Sequence, residues 1–195
     1  MSPNNYAIAT QDVSKIYGKT PVVSGLTLHV PHGAIYGLLG RNGAGKTTTI
    51  RMLISLARPS SGSLSVLSLD PIRDRVAMLA RTGYVPDEKL LPVLTGEKLL
   101  AINRGFYPDT WSDKHAAEYI RRFEIPMDKK FSKLSLGSKT KVYLMLAMAQ
   151  RPELLILDEP TTGLDPVMVD QLQRNLVEDF AAEGGTVFLS SHQLR

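Results

Sequence analysis

The chain has 195 residues, 43% of them apolar, and a net charge of +4, which suffices for one domain with a core and excludes a disordered tail. No apolar run reaches bilayer length, MSPNNYAIATQDV lacks the layout of a secretory signal, and there is no cysteine. A spanning helix, a disulfide framework and thiolate metal sites are therefore not expected, and the expected location is the cytoplasm.

In chain order, YAIATQDVSKIY and PVVSGLTLHVPHG alternate in hydrophobicity with turn residues between them and read as antiparallel strands. GAIYGLLG is a short apolar strand ending in glycines. AGKTTTIRMLISLA then switches to helical period, with Ile50, Leu53, Ile54 and Ala57 on one face, and RPSSG ends it. SLSVLSL reads as a strand, DPIRDRVAMLA as a short helix capped by Asp70 with Pro71 first, and TGYVP as a strand. From Asp87 to about Ser132 two or three helices form an insert, with Trp111, Ala116, Ile120 and Phe123 expected to make a small core of their own. SKTKVYLMLAMAQ reads as a buried helix, ELLILDEP as a central strand, PVMVDQLQRNLVEDFAAEG as a long amphipathic helix and TVFLSSH as a last strand. The fold class expected is α/β: a mostly parallel sheet flanked by helices, with an N-terminal antiparallel β part and an inserted helical part. His29, His32, His115 and His192 show no ligand spacing, and the dispersed basic residues read as a solvated surface, with no nucleic acid expected.

GRNGAGKTT, Gly40 to Thr48, fits G-x-x-x-x-G-K-[ST] between a strand and a helix. In such a loop the backbone N–H groups of Gly40, Arg41, Asn42, Gly43, Ala44, Gly45, Lys46, Thr47 and Thr48 can wrap phosphate at the positive end of the helix dipole. Lys46 can bridge the β- and γ-phosphates, and Thr47 can ligate Mg²⁺. LLILDEP buries its strand and lets Asp158 emerge at the carboxyl end, where it can hold Mg²⁺ through water while Glu159 accepts the proton of an attacking water. The plain alternatives are a glycine-rich turn and two acids capping a strand. No [NT]-K-x-D guanine-reading motif occurs, and ATP hydrolysis driving another process is the class left.

With GRNGAGKTT, LSLGS, LLILDEP, TTGLD and SSH in this order, the chain resembles the nucleotide-binding domain of ATP-binding cassette (ABC) proteins from Tyr17 to His192. The resemblance implies a P-loop NTPase core, ATP and Mg²⁺ as ligands, and a single cassette over 1–195 with a helical subdomain at about 87–150 that includes the signature helix. It implies Glu159 as catalytic carboxylate, Tyr17 as the ring stacked on adenine, and Asp165 in the loop linking two nucleotide sites across a dimer. His192 is implied as the γ-phosphate contact that orders water, acting with Lys46. YVPDE resembles the loop leading into the helical subdomain, where the family commonly has Gln; here Asp87 can approach Mg²⁺ or its waters but cannot donate a hydrogen bond when ionised. KLSLGSKTK resembles the LSGGQ signature, with Leu136 in place of the first glycine and Ser138 in place of the glutamine. Ser135 and Gly137 stand, and in a head-to-tail pair they would serve the ATP of the opposite cassette; the bland alternative is a capped core helix.

These features imply the ATP-hydrolysing subunit of an ABC transporter, of export type. Its expected partners are a second cassette, identical or not, and a separate integral-membrane permease that holds it on the inner face of the cell membrane. The rival reading is a soluble ABC ATPase of DNA repair, translation or cofactor assembly; the sequence has neither the long coiled coil nor the second cassette usual in such proteins. The family continues beyond SSHQLR with another helix, so a cassette whose C-terminal end is missing, or a minimal one, is expected.

Overall fold

The structure, a computed structural model, describes residues 5–89, 94–174, 176 and 180–192. Two sheets organise it. β1 (Tyr6–Tyr17), β2 (Thr20–Pro31) and β4 (Ser61–Val66) form an antiparallel sheet in the order β2-β1-β4. The second sheet is parallel, in the order β3-β7-β6-β5, from β3 (Ile35–Leu39), β7 (Thr186–Ser191), β6 (Leu154–Leu157) and β5 (Thr82–Val85). All four β6 residues are buried. Leu154 and Ile156 face one core and Leu155 and Leu157 the other, which is why this inner strand is apolar throughout rather than alternating.

The first core joins Ile8, Leu28 and Val30 of the antiparallel sheet to Ile50 and Leu53 of α1 (Lys46–Leu53) and to Phe188. The second lies under α3 (Gly96–Phe106), α4 (Asp113–Arg122), α5 (Leu136–Ala149) and α6 (Pro166–Arg174). Each of the first three helices starts at a hydroxyl cap: Thr95, Ser112 and Ser135 accept from Lys98, His115 and Ser138 N–H. The separate core that the sequence suggested for the insert is not found among the described residues. Ala116 and Phe123, with Trp111 and Ile120 packed against the same cluster, share it with α5 and with Val85, Leu155 and Val187 of the sheet, because the second half of α5, VYLMLAMA, is apolar on every face.

Two helix boundaries differ from expectation. α1 stops at Leu53, short of Ala57, because Ser55 adopts φ 62° while its N–H and that of Leu56 return to Met52 O and Arg51 O, closing the helix end. The helix expected from Asp70 begins at Arg75 as α2 (Arg75–Ala80). Asp70 does act as a cap, with Oδ1 accepting from Ile72 and Arg73 N–H and its own N–H donating to Asp74 Oδ2, but the turn it caps breaks at Asp74 (φ −104°, ψ 26°) before α2 begins. Part of the predicted long helix after Pro166, residues 175 and 177–179, lies outside the described residues.

Candidate nucleotide site

The phosphate-binding loop joins β3 to α1. Gly45 sits at φ 87° immediately before α1, and a Cβ there would lie 2.6 Å from Val22 O, so only glycine lets the loop press against β2. That contact also fixes the hairpin carrying Tyr17, since β2 pairs Val23 with Lys15 and Thr20 with Tyr17 at the end of β1. Tyr17 is 46% exposed, and the Lys15 ammonium lies 4.7 Å from its ring centroid. At the helix start no side chain caps α1 and its first turn holds no acid, so the leading N–H groups meet no carboxylate.

Lys46 points back under the loop. Its buried ammonium donates to Gly40 O at 2.7 Å and Arg41 O at 3.2 Å and pairs with Glu159 Oε1 at 3.2 Å. The other Glu159 oxygen, Oε2, is 2.7 Å from His192 Nδ1 and accepts the His192 backbone N–H at 3.3 Å. Three residues predicted as catalytic, scattered over nearly the whole sequence, thus meet at one carboxylate. Burial pushes the Glu159 carboxyl up, but the hydrogen bonds and charges of His192 and Lys46 outweigh it and leave the group below its ordinary value. Glu159 also holds φ 46°, a costly conformation for a residue with a side chain.

Asp158, one residue earlier, is fully buried. Its Oδ1 accepts from the Ser190 hydroxyl at 2.6 Å, and Oδ2 has no hydrogen-bond partner among the described residues. An unmet buried carboxylate oxygen at the carboxyl end of a parallel sheet suits a hard divalent cation, which takes one or two protein oxygens and completes its shell with phosphate and water. Asp158 with Thr47, the residue after Lys46, fits Mg²⁺ brought in on a nucleotide. Asp87 follows the end of β5, whose Val85 O accepts Asp158 N–H. Partial burial and then the charge of Asp158 raise the Asp87 carboxyl. Lys89, buried on the same loop, donates to Pro86 O and, at 3.0 Å, to Asp87 O.

Ser135, Gly137 and Asp165 gather elsewhere, where α5 meets the loop before α6. Ser135 Oγ caps α5 at 3.1 Å from Ser138 N, and Asp165 Oδ1 caps α6 by accepting Met168 N–H at 3.0 Å, with Pro166 at the first helical position. Gly137 differs from Gly45: among the described residues a Cβ on it would meet only Leu164 Cδ2, at an ordinary 3.5 Å, so none of them demands glycine there.

Ser190 was not among the residues singled out from the sequence. It bonds Asp158 and, through Glu159 N–H at 3.0 Å, the next residue as well. The signal was present in FLSSH, because strand alternation puts Ser190 on the same face as His192. Ser190, His192, Gly163 and Leu164 line one cleft of about 450 Å³, which links the end of β7 to the loop before α6.

Comparison with known proteins bears on the family and the fold. A family model described as ABC transporter matches residues 23–162. The bacitracin transport ATP-binding protein BcrA of Enterococcus faecalis is 38% identical over 193 residues, covering 97% of this chain and 62% of that protein. The Nod factor export ATP-binding protein I of Paraburkholderia xenovorans (strain LB400) is 40% identical over 193 residues, covering 95% and 62%. The chain thus spans about three-fifths of the length of these curated relatives. Among solved structures, an ATP-binding subunit of an ABC transporter superposes with a TM-score of 0.86 at 29% identity, covering 96% of this chain and 80% of that one. A dimeric ATP-binding cassette bound to ADP and Pi gives 0.81 at 23% identity over 95% and 88%, a likeness of fold.

Proposed function

The chain belongs to the ABC transporter family, and from that premise we propose that it hydrolyses Mg-ATP as the ATP-binding subunit of an export-type ABC transporter. The observation that carries the chemistry is the convergence of Lys46 and His192 on Glu159 beside the buried Asp158. Phosphates entering the loop compete for the Lys46 ammonium; once Lys46 turns to them, Glu159 Oε1 is released to accept a proton from water, while His192 keeps the carboxylate aimed through Oε2. Asp158 and Thr47 would hold the Mg²⁺ that comes with ATP, which would supply positive charge against the phosphates. Tyr17 supplies a ring face for adenine.

Ser135, Gly137 and Asp165 act across a pair of cassettes. The harmless contact that a Cβ at Gly137 would make within its own chain supports this, since the need for a bare backbone then comes from outside. Asp87, whose carboxyl feels the charge of Asp158, would approach Mg²⁺ or its waters. ATP draws two cassettes together and hydrolysis lets them part, which transmits work to a membrane permease and holds this chain on the inner face of the membrane. The export direction draws on relatives named for Nod factor export and bacitracin transport. Among the described residues no helix is long and apolar enough to cross a membrane, and the permease is proposed as a separate chain. Affinity purification from detergent extract tests this: an integral-membrane protein recovered with the chain supports transport, and ribosomes or nucleic acid recovered instead overturn it.

A further inference from the structure

β7 runs apolar through Val187, Phe188 and Leu189 and turns polar at Ser190, a position with no solvent exposure. Its register pairs Leu157 with Leu189, so Asp158 and Ser190 emerge together from neighbouring strands. A serine hydroxyl has one proton. Ser190 gives it to Asp158 Oδ1 at 2.6 Å, which leaves its lone pairs to accept Glu159 N–H at 3.0 Å. One oxygen atom therefore orients two successive acids with bonds of opposite sense.

The consequences for the two acids differ. Asp158 is pinned through Oδ1, so the oxygen it can offer is Oδ2, which is buried and has no partner among the described residues. Glu159 is held at its amide while its chain takes φ 46°, the kink that carries its carboxylate to Lys46 and His192. An alanine at 190 would leave a buried carboxylate oxygen and a buried N–H unmet at once. We infer that Ser190 is a positioning residue of the Mg-ATP site, presenting Asp158 Oδ2 to the metal and holding the Glu159 turn. The inference rests on the reading of this site as one for Mg-ATP. Partners of ligating carboxylates set metal affinity as well as rate, so the effect extends to binding.

The test compares Ser190→Ala, Ser190→Cys and Ser190→Thr in the full chain. Affinity for a fluorescent ATP analogue is measured with Mg²⁺ and again in EDTA, and the ratio reports the contribution of the metal. Ser190→Ala should shrink that ratio by about tenfold, the low end for loss of a ligand's hydrogen-bond partner, while metal-free affinity stays within about twofold. Ser190→Thr, which keeps the hydroxyl, should recover most of the ratio. Ser190→Cys, a weak donor, should fall between and carries the comparison if the alanine variant does not fold. An unchanged ratio in the alanine and cysteine variants, or equal loss of metal-free and metal-bound affinity, would overturn the proposal. Wild-type chain that binds the analogue with a metal-dependent gain but does not hydrolyse ATP would contradict the hydrolysis reading, and the ratios would still decide Ser190. Wild-type chain with no metal-dependent gain would overturn the Ser190 proposal directly.

Discussion

The Leu136 side chain lies over the backbone of Gly163: a Cβ built on Gly163 would fall 2.2 Å from Leu136 Cδ2 and 3.0 Å from its Cγ. Leu136 stands where the family signature has its first glycine, so the leucine is accommodated by a glycine of the same chain. Leu164 packs toward Gly137 in return, and α5 and the loop before α6 interlock, leucine against glycine, in both directions.

Gly163→Ala should therefore destabilise the protein by about 1–3 kcal/mol from overpacking. The φ of 74° adds about 1–2 kcal/mol for a residue with a Cβ. Adding Leu136→Ala should return the overpacking part and leave the backbone part. Urea unfolding of the single and double variants measures both, and a double variant no more stable than Gly163→Ala would show that the two side chains do not meet.

Gly137→Ala should separate stability from function. The space around Gly137 admits a methyl group, and alanine in a helix gains up to about 0.5–1 kcal/mol over glycine. Thermal midpoint should hold or rise while ATP turnover falls by about tenfold or more, as for a lost transition-state contact. A lower midpoint with full turnover would assign this glycine to packing.

His192→Ala should lower kcat tens-fold, on the order of a lost transition-state contact, and should also move the pH profile. His192 helps hold the Glu159 carboxyl down, so its removal raises that carboxyl. A base must be ionised to act, and the acid limb of kcat/KM should shift to higher pH. An unmoved limb in this variant would separate His192 from Glu159.

Away from the site, Arg81 and Glu153 form a bidentate pair at 2.6 and 2.7 Å that ties the start of β5 to the residue before β6. The hydrogen bond to Arg81 holds the Glu153 carboxyl below its ordinary value, against partial burial. A lowered acid contributes stability above its unfolded value, about 4.3, and loses it as pH falls through the folded value. Glu153→Gln should thus lower the melting temperature at pH 7 and leave it unchanged at the acid end. Both groups are substantially exposed, so the effect should stay below about 1 kcal/mol and fade in high salt.

The site was legible where chemistry demands particular residues in order. The loop around Lys46, the acids at Asp158 and Glu159, and His192 all lie where strand and helix patterns put them, and three of these four residues meet at the carboxylate of Glu159. Hidden from the sequence were features set by geometry between distant segments. Ser190 is an ordinary strand serine until β6 is laid beside β7, and Leu136 over Gly163 spans two elements joined only in the fold. The end of α1 escaped because Ser55, not glycine, takes the left-handed turn, and α2 started late because the turn capped by Asp70 breaks at Asp74.

Glu159 as the base is the role on which the proposed hydrolysis depends most. Phosphate release from Mg-ATP, measured on the purified chain beside Glu159→Gln, decides it. General-base catalysis contributes about 10²–10⁴-fold, so steady turnover is expected of the wild-type chain and loss of at least about 100-fold in the variant, with ATP still bound and the variant trapped as a dimer. Turnover by Glu159→Gln equal to wild type would contradict it.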